Sequence, residues 1–255
     1  MARASTAAEF FATVRQVEVP TSAGPCALPI LYRDASLIGA FFRVDPALAG
    51  ACLPAGDLEP LVALGKATVF LCAFEYRDTT VGVYNELGLA VLAKRAGSRP
   101  SLMRLALDLR AQPEQALWVA SLPVTTPEAC AAGKEIWGYP KYVTEITTDF
   151  GENTAAIEIP GELRYVQPST RGLTTQGVPF VTFTRKDGVL IRTVIETSHP
   201  VRWSSGSSSR LDLTGSGQTA DLCRALGLDG ASPSLVFRGD ALRAILPAGE
   251  TQASK

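Results

Sequence analysis

Histidine is almost missing from this chain: of 255 residues only His199 is one. Metal centres built on several imidazoles are thereby excluded, and a Ser-His-Asp triad has to run through that residue. His199 stands before Pro200 in a loop-like stretch, which predicts a surface histidine and leaves a hydrolase reading remote. The five cysteines, at 26, 52, 72, 130 and 223, are odd in number and irregular in spacing. They spell neither a disulfide framework nor a zinc pattern. Cys72, inside the apolar run from Val69 to Phe74, is expected in the core. No apolar stretch approaches the roughly 18 residues of a membrane helix. Charge of one sign is also lacking: 24 basic residues face 25 acidic ones, a net −1. That balance excludes nucleic acid or an anionic membrane as the evident partner. No phosphate-binding or dinucleotide glycine motif occurs, Gly215-Ser216-Gly217 being too short, and no internal repeat is present. The N-terminal residues carry one arginine and no long apolar segment before a cleavage site, which predicts a mature cytoplasmic protein.

What is present is apolar content, 46% of residues, in many short segments. This suits one large domain or two small ones, and is read as a single domain over 1–255 with an N-terminal helical arm over 1–24 and a frayed tail over 247–255. Apolar spacing predicts a helix over 7–19, stopped by Pro20. Strands are expected at 27–32 and 37–44, joined by a turn at 33–36. Asp45 is placed to cap a short helix, with Pro46 in its first position, running to about Cys52. Segments 67–76 and 83–93 read as a hairpin, 102–109 alternates, and 117–124 is a buried strand. Thr126 and Pro127 open a third helix, with Glu128 in its first turn and Gly133 as its stop. A strand containing Lys141 follows, to about Thr148. Further strands are expected at 155–159 and 163–166, and a hairpin pairs 180–185 with 189–197 about Lys186-Asp187-Gly188. The serine-rich stretch 204–209 reads as a flexible loop or lid. Thr219 caps a helix to Leu226, a strand covers 234–238, and 241–246 is a short helix or turn. Many strands with few short helices make a β-rich α+β barrel.

The most informative stretch is Gly133-Lys-Glu-Ile-Trp-Gly-Tyr-Pro-Lys-Tyr142. Proline stiffens the corner from which Lys141 leaves, and the neighbours Ile136, Trp137, Tyr139, Tyr142 and Val143 are mostly apolar. A lysine there is costly to keep charged, and a neutral amine is a nucleophile towards carbonyls. The common alternative is a lysine that snorkels to water along apolar surface.

This run resembles the active-site segment of the acetoacetate decarboxylase superfamily, in which a lysine after an aromatic-Pro pair forms a Schiff base with a keto acid. The resemblance covers roughly residues 28–246 and is most specific in the first two-thirds. It implies a cone-shaped antiparallel β-barrel with an internal cavity, assembled as a homo-oligomer. It matches Lys141 to the Schiff-base lysine, Glu86 to an acidic residue that manages protons, and Arg33 to a substrate-binding arginine. Tyr84, Tyr139 and Tyr142 are candidate substrate-binding phenols. Two positions depart from the pattern. Tyr142 stands where a second lysine follows the first, and Leu71 stands where another cavity glutamate falls. The implied function is a Schiff-base lyase acting on a small oxo acid, without metal or organic cofactor. Because of Tyr142, aldol condensation or dehydration of a pyruvate-like acid is favoured slightly over decarboxylation of an acetoacetate-like one. The alternative is a barrel that binds a small ligand without turnover.

Overall fold

The computed structural model describes residues 7–99, 109–168 and 171–252. In chain order its elements are α1 (Ala7–Phe11), β1 (Val17–Thr21), β2 (Gly24–Leu28), β3 (Ile30–Val44) and α2 (Pro46–Ala51). They continue with β4 (Leu58–Pro60), β5 (Val62–Ala63), β6 (Lys66–Thr79), β7 (Tyr84–Arg95), β8 (Gln115–Ser121) and α3 (Pro127–Trp137). Then come β9 (Thr147–Phe150), β10 (Thr154–Ile159), β11 (Leu163–Pro168), β12 (Thr174–Gln176), β13 (Phe180–Lys186) and β14 (Val189–Ser198). The last are β15 (Pro200–Ser205), β16 (Arg210–Leu213), α4 (Gln218–Ala225), β17 (Leu235–Leu246) and β18 (Glu250–Thr251).

Seven strands close into a barrel in the order β17-β3-β6-β7-β8-β13-β14, with β14 returning to β17 through pairs such as Glu196 with Ile245. Only β8 with β13 is parallel. A second antiparallel sheet, β16-β11-β10-β9, covers part of the outside. Side chains alternate across each strand, so one wall serves two cores. On β6, Phe70, Cys72, Phe74 and Tyr76 face the barrel interior. Ala67, Val69, Leu71 and Ala73 pack outward with Ile157, Ile159, Leu163 and Tyr165 of the covering sheet. The β-rich barrel expected from the sequence is therefore present.

Local chemistry explains the junctions. The Asp45 carboxylate accepts from Ala47 N at 2.7 Å and Pro46 opens α2, as expected. The hairpin β13–β14 turns through Asp187 and Gly188, both at positive φ, which matches the twist of the strands it joins.

Several expectations are corrected. The N-terminal helix ends at Phe11, because 17–21 pairs with 24–28 as a hairpin. Segments 27–32 and 37–44 are not two strands about a turn: β3 runs through, with a bulge at 33–34. Residues 235–246 form one strand, since irregular register about Gly239 lets β17 follow β3 throughout. The serine-rich stretch is the end of β15 and a tight turn, with Ser209 buried. Thr219 is not a cap: it is fully buried, and the Glu162 carboxylate accepts from Thr219 N and Ala220 N at the helix start. The described part of the tail, 247–252, is tied down, β18 pairing with β14 and Pro247 O accepting from Trp137 Nε1. His199 is not a surface residue but is 3% exposed. The strand expected at 102–109 lies outside the described residues, apart from Leu109. Among those described, no helix is long and apolar enough to cross a membrane.

Candidate active site

Helix α3 sets the position of Lys141. Thr126 Oγ1 accepts from Ala129 N, and the helix passes Gly133 to end at Gly138, in the left-handed conformation at φ 69°. The Tyr139 N–H returns to Gly133 O at 3.1 Å, closing a cap of the kind glycine allows. A Cβ at Gly138 would also collide with the Arg185 carbonyl oxygen. The chain then reverses through Tyr139-Pro140 and runs back beside the segment after β8. Leu122 N donates to Pro140 O, Val124 N to Tyr142 O, and Thr144 N to Val124 O. Lys141 is thus in an extended turn held by neighbours, not in the long strand to Thr148 expected from the sequence.

The same segment brings in Glu86. Val124 bridges antiparallel to Glu86 on one side and parallel to Val143 on the other. Two side chains 55 positions apart therefore project into one cavity, and Lys141 Nζ donates to Glu86 Oε2 at 2.6 Å. Both are buried, at 7% and 8% side-chain exposure. The Nζ also lies 5.6 Å from the centre of the Tyr84 ring.

Gly133 is where the sequence reading missed a role. It does not stop α3 but lies one turn before its end, against the lysine stem. A Cβ there would fall on Lys141 Cδ and 2.5 Å from Cε. Gly→Ala inside a helix ordinarily stabilises by about 0.5–1 kcal/mol. Here Gly133→Ala is expected to lose that gain and shift the amine off Glu86. The carbonyl adduct at Lys141 that the sequence resemblance implies should then form on the order of 10²-fold more slowly. Rates of borohydride trapping alongside thermal melts check this; a more stable variant with undiminished trapping would refute it.

The cavity measures about 100 Å³. Among the described residues on its wall, Lys141 and Glu86 are the only charged side chains; aromatic and aliphatic groups form most of the rest. Tyr32, Tyr76 and Tyr84 stack as a row, with successive ring centres 4.7 and 4.6 Å apart. Tyr76 OH donates to Glu86 Oε1 at 3.4 Å and Tyr84 OH to Tyr32 OH at 3.2 Å. Across the cavity, Tyr139 OH bonds Thr182 Oγ1 at 2.9 Å. Burial first, and the Glu86 carboxylate after it, push the phenols of Tyr32 and Tyr76 above the ordinary range; burial does the same for Tyr84 and Tyr139. The Cys72 thiol on the same wall is raised likewise. These groups stay protonated, as donors rather than nucleophiles.

Of the residues singled out in the sequence, Lys141, Glu86, Tyr84 and Tyr139 meet here. Arg33 and Tyr142 do not. The bulge that pairs Asp34 with Asp78 turns both Arg33 and Asp34 to solvent, while Tyr32 and Ala35 stay inside. Arg33 bonds Asp78 at 3.2 Å on the exterior, and exposed Arg43 bonds Ala63 O. Tyr142 points the other way, its hydroxyl 2.7 Å from Thr219 Oγ1, which in turn bonds Ser121 Oγ at 2.7 Å. Its identity therefore does not alter the cavity. Leu71 also faces outward, so the cavity face of β6 is its even-numbered set. Tyr32 and Tyr76 were missed; alternation from Phe74 on a strand was the available signal for Tyr76.

In solved structures the same architecture recurs at low identity. An acetoacetate decarboxylase from Legionella pneumophila superposes with a TM-score of 0.65 at 17% identity, over 99% of this chain and 98% of its own. A second acetoacetate decarboxylase gives 0.62 at 16%, over 88% and 89%. The enduracididine biosynthesis enzyme MppR, complexed with pyruvate, gives 0.57 at 16%, over 93% and 98%. Among proteins with curated descriptions, none matches. The acetoacetate decarboxylase (ADC) family profile matches residues 18–162, which carry the barrel strands β3, β6, β7 and β8 together with Glu86 and Lys141, and the chain belongs to that family.

Proposed function

We propose that the protein is a Schiff-base lyase in which Lys141 attacks the carbonyl carbon of an oxo acid. The observation that supports this best is the buried Lys141–Glu86 pair at 2.6 Å in an otherwise uncharged cavity wall. Glu86 Oε2 is placed to take a proton from Nζ, leaving a lone pair free to form the C–N bond. The proton returns to the carbinolamine oxygen, which departs as water and leaves a protonated imine. That cation is the electron sink, so the step needs no metal or organic cofactor.

The character of the wall supports one of the two oxo acids over the other. With Arg33 outside, no arginine among the described residues reaches the cavity to hold a carboxylate. A 2-oxo acid keeps its charge through reaction and would leave it against apolar side chains, at a cost. A 3-oxo acid loses its charge: the C–C bond to the carboxylate breaks, CO2 leaves, and the electron pair flows to the imine nitrogen to give an enamine. One proton taken up from solvent and delivered to carbon by Glu86 or through Tyr76, followed by hydrolysis of the imine, then releases a ketone and frees Lys141. We therefore favour decarboxylation. The pyruvate-bound relative supports aldol or dehydration chemistry on a 2-oxo acid as the second reading.

Incubation with acetoacetate or with pyruvate, followed by borohydride reduction and peptide mass analysis, tests the proposal. The expected result is an adduct on Lys141 that forms faster with acetoacetate, with CO2 released before reduction. Faster trapping of pyruvate would favour the second reading. No adduct with either acid, and a Lys141 that amine reagents modify only at alkaline pH, would instead make this a ligand-binding barrel without turnover.

A further inference from the structure

Beyond the Lys141 cavity lies a second, larger chamber of about 330 Å³. Phe70, Leu117 and Phe180 belong to the walls of both, so the partition between them is one layer of side chains. Of the three, Phe180 is the one only half-buried, at the start of β13, with its ring 6.1 Å from those of Phe70 and Phe74. The far wall is aromatic, with Phe41, Trp203 and Phe237 in mutual ring contact. Among the described residues it carries no charged side chain.

Its polar groups are few. The Trp203 indole donates to Thr175 Oγ1 at 2.8 Å and is satisfied. His199 also lines the chamber, with a buried Nδ1 that has no hydrogen-bond partner. Two glycines make room for its ring: a Cβ at Gly177 would collide with Cε1, and one at Gly239 would lie 2.8 Å from Cδ2. Burial holds this imidazole down at about 4, so it is neutral at ordinary pH. The chamber therefore suits an uncharged, apolar group.

We propose that this chamber receives the alkyl tail of the substrate whose carbonyl carbon is held at Lys141. The preferred substrates are then medium-chain 3-oxo acids, and the products medium-chain methyl ketones. The inference rests on the Schiff-base reading for the head of the molecule; the tail site rests on the chamber alone. The tail would pass between them at Phe180, the least buried of the three shared wall residues, with Phe70 and Leu117 as the floor. A short acid such as acetoacetate would leave the chamber empty and forgo its apolar surface.

The test uses neutral methyl ketones, 2-butanone, 2-heptanone and 2-nonanone, titrated against the protein with Trp203 fluorescence as readout. Trp203→Phe assigns the signal. Affinity should rise about three- to fourfold for each added methylene until the chamber fills. Val201→Phe, which places a ring in the chamber, should flatten that series; Thr68→Phe serves the same purpose if the first variant does not fold. The rise should persist in Lys141→Met, because it needs no covalent bond. Affinity independent of chain length in the folded protein, or a series unaltered by a folded chamber-filling variant, would overturn the tail site. A chain-length dependence without any borohydride adduct would overturn the Schiff-base reading and leave the tail site standing. An adduct with a flat series would do the reverse.

Discussion

Lys141→Met is expected to yield no borohydride-reducible adduct with any oxo acid and no turnover above background. The loss is complete rather than partial because no other amine among the described residues enters the cavity. On the proposed Schiff-base chemistry water does not substitute for the amine, because the imine it forms is the electron sink. Methionine keeps the unbranched apolar stem, so the collapse of packing that alanine would bring is avoided. What it does leave is Glu86, 6% exposed, without its cation and with only the Tyr76 hydroxyl as a long partner. Removing one member of a buried pair typically costs about 3–5 kcal/mol. The single variant should therefore melt lower as well as fall silent, by roughly 6–20 °C at the 2–4 °C per kcal/mol typical of domains of this size. Adduct formation at another lysine with retained turnover would refute the assignment.

Glu86→Gln should be the second largest effect. Glutamine keeps the shape and one acceptor oxygen, but cannot take a proton from Nζ and return it. A positioned acid–base group contributes about 10²–10⁴-fold, and turnover should drop within that range while the adduct still forms slowly. This separates it from Lys141→Met, in which no adduct forms at all. The variant also strands Lys141 in the apolar cavity, so it too should lose stability. The double variant, Glu86→Gln with Lys141→Met, removes both charges and should recover most of that loss, since a neutral replacement of a buried pair is often no less stable than the pair. Thermal melts of the four proteins measure the coupling. Additive losses would mean that the two side chains do not share the 2.6 Å contact in solution.

The meeting of Lys141 and Glu86 in one cavity was more legible than the strands around it. Lys141 could be read because Tyr139-Pro140 and its apolar neighbours sit within a few positions, and Glu86 followed from the same resemblance. Arg33 could not be placed, because a one-residue bulge decides which of two neighbours faces inward. Leu71 was misassigned on the same parity. Gly133 was read as a helix stop because glycine often ends helices, yet what fixes it is the stem of a side chain eight positions on. The N-terminal segment failed for another reason. Phe10, Phe11, Val14 and Val17 satisfy a helical period, but the pairing of Val17 with Leu28 wins once the chain reverses at Gly24. Long strands were cut short wherever polar residues interrupted them, as at 239–240 in β17, since bulges absorb such residues without ending the ladder.

The two-faced wall has a consequence for how this protein can change over generations. On β6 the residues at 70, 72, 74 and 76 line the cavity, and those at 67, 69, 71 and 73 meet the covering sheet. Two inheritances are interleaved in one strand. Mutations in the first set revise what the barrel accepts and leave the scaffold's seam untouched; mutations in the second are filtered by folding alone. A lineage can thus exchange substrates one alternate position at a time, which suits a fold that persists across nearly the whole chain at 17% identity.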